Sequence, residues 1–368
     1  MGQVKLTFVV SSGRAGSTLL SHILHLHPDV LSISEFYTCL KGSLHRSPYP
    51  GQEMDGAELW RVLTERDLIS DAVVRHGLNG PEMLYPYGSG RFGPDGGIPP
   101  ICHSTLPMLT DDPDALYDQL AAEVPAWPVR PAAEQYRAFF AYLAGLLGRS
   151  VVVERSGGTL FAIRVLRREF PEARFVHMFR YGPDCALSIS KLPMFRIGAA
   201  VFQAAEEAGL PSSASWKEIQ EALPSRFAGV LSPPFDLSRL GEFQPEPAFF
   251  GEWWSAMIRT GVNSLRTLPA EIWDTLDYSD LLRDPGAELT RLASFIGVPA
   301  TPQWLAAASD RIDPGRAGQA ARLAPDVLAT LQQACELGMD ALAEQARLHA
   351  AAVARPRGQA REGTAVTS

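Results

Sequence analysis

The chain has 368 residues, 46% of them hydrophobic, enough to bury a sizeable core in one domain or two. A net charge of −8 excludes the basic excess by which a polymer-wide nucleic-acid binder is recognised, while leaving room for one anionic cofactor in a local basic pocket. Cys39, Cys102, Cys185 and Cys335 are widely spaced with no CxxC pair, which argues against a zinc site or a disulfide framework and fits a reducing cytoplasm. No apolar run reaches the length of a membrane span, and the first residues lack the long apolar core of a signal peptide, so a soluble chain is expected.

Val4 to Val10 is a short apolar, β-branched run. Ser11 to Ser17 is a Gly/Ser loop, and helical spacing begins at Thr18. A strand that turns through glycines into a helix aims free backbone N–H groups and the positive end of the helix dipole at one spot, which suits a phosphate. Against the pattern G-x-x-x-x-G-K-[ST], Gly16 stands at the second glycine, Thr18 at the hydroxyl, and Ser17 where a lysine belongs. In an NTPase that lysine bridges the β- and γ-phosphates, so its loss argues against cleavage of a triphosphate; Arg14 is the cation that remains. The same loop also reads as a plain connection between strand and helix.

Val30 to Ile33 is the next strand candidate, and Glu35 follows at its carboxyl-terminal end, the edge where open parallel sheets bind ligands. Helical patterns occur at Asp55 to Leu68 and Ala132 to Leu147. Between them, Asn79 to Ile101 holds six glycines and five prolines in 23 residues, together with Tyr85, Tyr87, Arg91 and Phe92. Such a segment is either an acceptor lid or a disordered insertion. From Val151, VVVE, a turn, TLFAIRVLRREF and RFVHMF alternate as strand, helix and strand, the order of parallel βαβ units. Arg155 and Arg180 then fall at strand ends, and Ser188 lies eight residues after Arg180 on the following helix, where the two could grip one phosphate. Trp253-Trp254 reads as core, Pro325 to Ala351 as a long helix, and His22, His25 and His27 as packing or surface residues.

Taken together, RAGSTLL from Arg14, HPDV, Glu35, FPEARFVHMFRY, Ser188 and WDTLDYSDLLRDPGAELTRLASFIGVP resemble, in order, sulfotransferases that use 3′-phosphoadenosine 5′-phosphosulfate (PAPS), in the bacterial and tyrosylprotein branch. The likeness covers about residues 4–36, 150–191 and 271–299. It implies a P-loop NTPase-like α/β fold, a mostly parallel sheet flanked by helices, with helical and loop insertions. By the same resemblance Arg14, Ala15, Gly16, Ser17 and Thr18 would bind the 5′-phosphosulfate, Arg180 and Ser188 the 3′-phosphate, and Tyr278 the nucleotide, while Glu35 would be the catalytic base. Arg155 stands where the family keeps the lysine of a Lys-Thr-Pro motif, which would make it, like Arg14, a catalytic residue, one that stabilises the sulfonate; Tyr181-Gly182 replaces the family's Asp-Pro or Asp-Gly. Asp313-Pro-Gly-Arg316-Ala-Gly resembles the loop that closes over the nucleotide, making Arg316 a further contact.

The expected protein is a cytoplasmic PAPS-dependent sulfotransferase that needs no metal and acts on a hydroxyl of a small molecule. Residues 1–354 would form one domain, with insertions at about 40–150 and 192–250 building the acceptor pocket and 355–368 forming a disordered tail. The aromatics Phe36, Tyr37, Tyr85, Tyr87 and Phe92 would suit a flat or partly apolar acceptor. The alternatives are a P-loop small-molecule kinase that lacks its lysine and a non-catalytic nucleotide-binding scaffold. Neither nucleic acid nor membrane is an expected partner.

Overall fold

The computed structural model describes residues 4–37, 53–211 and 214–353. Cys39 and the tail from Arg355 lie outside the described residues. Five parallel strands form the main sheet: β1 (Lys5–Val10), β2 (Val30–Ser34), β5 (Val151–Arg155), β6 (Arg174–Phe179) and β7 (Trp273–Asp277). Their order is β2-β5-β1-β6-β7, and every pairing within the sheet is parallel. Two short strands, β3 (Glu53–Met54) and β4 (Arg130–Pro131), pair antiparallel outside it. This is the α/β class expected from the sequence.

Side chains two apart point to the same face of a strand, and both faces here are apolar, as a parallel sheet covered on both sides requires. Leu6, Phe8, Val10, Val152 and Phe175 pack with the helices Ala132–Leu146, Pro247–Leu265 and Pro325–Val353. Val9, Val151, Val153, Val176 and Leu276 pack with the first helix, Ser17–His25, and with Pro285–Ile296 and Pro302–Ser309. A separate cluster joins Ile69 and Val73 to residues of the 197–243 segment. Trp254 is fully buried in the first core, as expected of the Trp pair.

The expected helix over Asp55 to Leu68 is two helices, Gly56–Thr64 and Leu68–Arg75, each begun by an aspartate that accepts backbone N–H bonds from its first turn. The Gly/Pro-rich segment after it folds onto the protein. Tyr85, 3% exposed, donates to Asp114, and the Arg91 amide donates to the same carboxylate at 3.0 Å. Its aromatic residues are turned inward: Phe92 meets Tyr117 edge-on, and the Arg91 guanidinium lies over both rings. Phe36 and Tyr37 are fully buried against Phe8, Tyr136, Phe139 and Phe140. These two rings build the core and offer no stacking face to an acceptor. Among the described residues no single helix is long and apolar enough to cross a membrane.

Candidate functional site

Each strand of the main sheet delivers one candidate residue at its carboxyl-terminal end. After β1 comes the loop Ser11 to Gly16, after β2 Glu35, at the end of β5 Arg155, after β6 Arg180, and after β7 Tyr278. The strand register places Ser34 opposite Arg155 and Val9 on the other side of Arg155, so these ends lie side by side along one edge. β1 lies between β5, which leads towards β2, and β6, which leads towards β7, and such a reversal of strand order opens the crevice in which parallel α/β sheets hold ligands.

The loop after β1 turns through Gly13 (φ 82°), Arg14 (φ 56°) and Gly16 (φ 91°). A left-handed arginine is uncommon, and here it turns the guanidinium towards the opposite wall, where Nε donates to Ser188 Oγ at 3.1 Å and Nη1 lies 3.3 Å from Glu82. Gly16 is required twice: by its φ, and because a Cβ there would lie 2.1 Å from the Tyr278 ring. Tyr278 thus closes over the loop, and the Arg180 guanidinium sits 5.0 Å from the centre of its ring.

Arg180 is fixed from two sides. Its Nη2 donates to Asp184 at 3.2 Å and to the Arg316 carbonyl at 2.8 Å. Asp184 also accepts the amides of Gly318 and Ala320 at 2.8 and 2.7 Å, tying the loop around Arg316 to the Gly182–Ile189 helix. The Arg316 side chain itself is 72% exposed and reaches the cavity from its rim. Gly182 leaves no room for a side chain, since a Cβ would meet the Trp254 ring at 2.5 Å.

These groups enclose a cavity of about 640 Å³ lined by Arg14, Gly16, Ser17, Thr18, Arg180, Ser188, Tyr278 and Arg316. Ala15 belongs to the same loop but is fully buried, its methyl packed in the core. Arg180 Nε is buried with no hydrogen-bond partner among the described residues. An orphan charged donor beside a cavity fits an anion that would accept from it.

Glu35 and Arg155 do not line this cavity; they form a buried ion pair with each other. The Arg155 guanidinium donates to Glu35, to Ser34 Oγ and, at 2.8 Å, to Ser21 Oγ. Glu35 accepts a further bond from the Gly157 amide at 2.9 Å, its own amide donates to the Arg155 carbonyl at 2.7 Å, and its φ is 57°. The first turn-forming residues after β5, Ser156 and Gly157, therefore hold the backbone and carboxylate of the β2 end, with Ser156 Oγ accepting the Tyr37 amide at 2.9 Å.

Among the site residues not expected from the sequence are His22, Lys191, Arg311 and Glu82. The first three line the cavity. His22 lies four residues after Thr18 on the first helix, so a helix that turns Thr18 to the cavity must turn His22 there too. Burial lowers its pKa, and Arg155 and Arg311 lower it further. Asp184, Leu187, Ser188 and Lys191 are likewise spaced by three and four, a one-faced pattern present in the sequence. Arg311 comes from an irregular segment, with no such signal.

No family model matches the chain, and no curated protein matches it. Among solved structures it is similar to sulfotransferases. The sulfotransferase domain of the Synechococcus olefin synthase has a TM-score of 0.46 at 18% identity over 91% of this chain and 95% of that one. The sulfotransferase domain of the curacin biosynthetic pathway has a TM-score of 0.44 at 14% identity over 90% and 98%. A sulfotransferase from Mycobacterium tuberculosis has a TM-score of 0.41 at 14% identity over 91% and 77%.

Proposed function

We propose that the protein moves a sulfonate from PAPS to a hydroxyl of a small-molecule acceptor. The observation that carries the reading is the convergence of Arg14, Ser188 and Arg180 on one cavity at the end of a strand-loop-helix that has Ser17 in place of the Walker lysine. The donor would supply the sulfonate and leave as adenosine 3′,5′-bisphosphate. Arg14 and the loop around Gly16 would hold the 5′ end, with the first helix adding its positive dipole. Arg180 and Ser188 would hold the 3′-phosphate, and the orphan Arg180 Nε is a donor free for it. Tyr278, stacked between Gly16 and Arg180, would bind the nucleotide from the side.

A sulfonate carries less charge than a terminal phosphate, so positive side chains can stabilise its transfer without a metal. Lys191, Arg311 and Arg316 add three such charges to the wall. Glu35 would take the proton of the acceptor hydroxyl. Each of its carboxylate oxygens accepts one bond, from Arg155 and from Gly157, and each keeps a second lone pair. Arg155 is a positioning residue in this reading, because its guanidinium is spent on Glu35, Ser34 and Ser21. The fold would form one domain through residue 354, with the 40–150 and 192–250 insertions shaping the acceptor side. Cys102, Cys185 and Cys335, all buried free thiols, suit a cytoplasmic setting.

The test is nucleotide selectivity. Adenosine 3′,5′-bisphosphate should bind far better than adenosine 5′-monophosphate, and Arg180→Ala should remove roughly ten- to a hundredfold of the bisphosphate affinity, as loss of a charge-assisted contact does. Equal affinity of the wild-type protein for the two nucleotides in calorimetry would refute the reading. A mass-spectrometric screen of hydroxylated metabolites with PAPS then identifies the acceptor by the gain of one sulfonate.

A further inference from the structure

Arg14, the cation of the first loop, is already paired with an anion of the protein. Glu82 Oε2 lies 3.3 Å from Arg14 Nη1, and the two side chains are 19% and 25% exposed. Glu82 belongs to the Gly/Pro-rich segment, and its neighbour Pro81 lines the cavity. The segment is firmly placed. The Leu84 amide donates to the His103 carbonyl at 2.7 Å, Ser104 Oγ donates to the Glu82 carbonyl, and Thr105 Oγ1 donates to the Ser34 carbonyl at 2.8 Å, one residue before Glu35. Burial raises the pKa of the Glu82 carboxyl, the Arg14 charge opposes this, and the Glu35 charge adds to it.

The carboxylates that line the cavity have other duties. Asp184 is taken up by the amides of Gly318 and Ala320 as well as by Arg180, and Asp313 accepts the Gly315 amide at 2.9 Å. The side chain of Glu82, by contrast, is directed at Arg14. A fixed negative charge on the main cation of an anion site weakens binding of any anionic ligand there, because the ligand must displace it or share the cation.

We propose that Glu82 is a resident counter-ion of Arg14: it holds the guanidinium in the empty site, is displaced by the 5′ anionic group of the nucleotide, and reclaims Arg14 when the product nucleotide departs. The segment bearing Glu82 thereby trades nucleotide affinity for faster release, a step that limits turnover in many enzymes. This role rests on the cavity being the nucleotide site proposed above.

The probe is adenosine 3′,5′-bisphosphate with the full chain, measured by calorimetry and by stopped-flow dissociation. Glu82→Gln and Glu82→Ala should each tighten binding by roughly two- to fivefold, the range for a partly exposed ion pair, with the gain in a slower off-rate. In an Arg14→Gln background, Glu82→Gln should change affinity by less than roughly twofold, since the two effects share one partner. Unchanged or weaker binding in the folded Glu82 variants, while the wild type binds the bisphosphate normally, overturns the counter-ion role alone. A wild type that does not bind the bisphosphate overturns the nucleotide reading itself.

Discussion

The Arg155 guanidinium and the Glu35 carboxylate form an ion pair across the ends of two adjacent strands, with side chains only 2% and 8% exposed. Such a pair adds little net stability relative to an apolar pair, yet removing one member strands the other charge in a dry site. Arg155→Met should therefore cost about 3–5 kcal/mol in urea unfolding, and adding Glu35→Gln should recover a large part of it. An Arg155→Met protein as stable as wild type would show that the pair is open to water in solution.

Gly16 makes a prediction of the opposite kind, steric instead of electrostatic. In Gly16→Ala the new methyl must move the Tyr278 ring, which would otherwise lie 2.1 Å away, and the residue must keep a φ of 91°. Backbone strain of this sort costs about 1–3 kcal/mol, so the melting temperature should fall. Because Tyr278 stacks on Arg180, bisphosphate affinity should fall with it. Adding Tyr278→Ala should restore some stability while leaving binding weak; restored binding would mean that the ring is not part of the nucleotide wall.

The pH dependence of stability should carry the mark of Glu154, fully buried on β5. Burial pushes its carboxyl up to about 8, against an ordinary 4.5, with Ser156 and Arg155 opposing and Glu35 reinforcing. The folded protein thus keeps a proton that the unfolded chain releases, and the stability this contributes is complete below 4.5 and lost as pH rises to about 8. Buried His103 and His177, lowered to about 4 from 6.5, have the reverse sign, but their window closes at 6.5. Between pH 6.5 and 8 the unfolding free energy should fall by about 1 kcal/mol per pH unit, and Glu154→Gln should flatten that slope. A slope unchanged in Glu154→Gln would assign the effect to another group.

Much of this arrangement was readable because strand ends are readable. Val4 to Val10, Val151 to Val153 and Arg174 to Phe179 are apolar enough to announce buried strands, and whatever follows such a strand in a parallel sheet lies on the ligand edge. β7 was not read as a strand, since Trp273–Asp277 carries aspartates at both Asp274 and Asp277 and sits at the sheet edge, where only one neighbour constrains it. His22 and Lys191 were legible in principle, each at helical spacing from a residue already assigned to the site. Glu82 and Arg311 were not, because irregular segments have no period and only the folded chain brings Arg311 to the cavity and Glu82 to Arg14. The aromatics misled for a related reason: Phe36, Tyr37 and Tyr85 look the same in sequence whether they line a pocket or fill a core, and here they fill a core.

The base assignment of Glu35 separates chemistry from binding. Glu35→Gln keeps the size of the side chain but offers one acceptor oxygen to Arg155 and Gly157, which now bond separate carboxylate oxygens, and it removes the carboxylate that would take the acceptor proton. General-base catalysis is worth about 10²–10⁴-fold, so kcat should drop by that order while PAPS affinity changes little. The loss should depend on the acceptor. A nitrophenol ionises near neutral pH without help and should be the least affected substrate, whereas an alkyl alcohol, which cannot shed its proton unaided, should be the most affected. The charge left on Arg155 would cost stability, so the comparison must be made at a temperature where the variant is fully folded, as judged by its near-ultraviolet circular dichroism. A folded Glu35→Gln enzyme with near-wild-type kcat on an alkyl alcohol would rule out Glu35 as the base and turn attention to His22, a cavity residue whose pKa is lowered by burial.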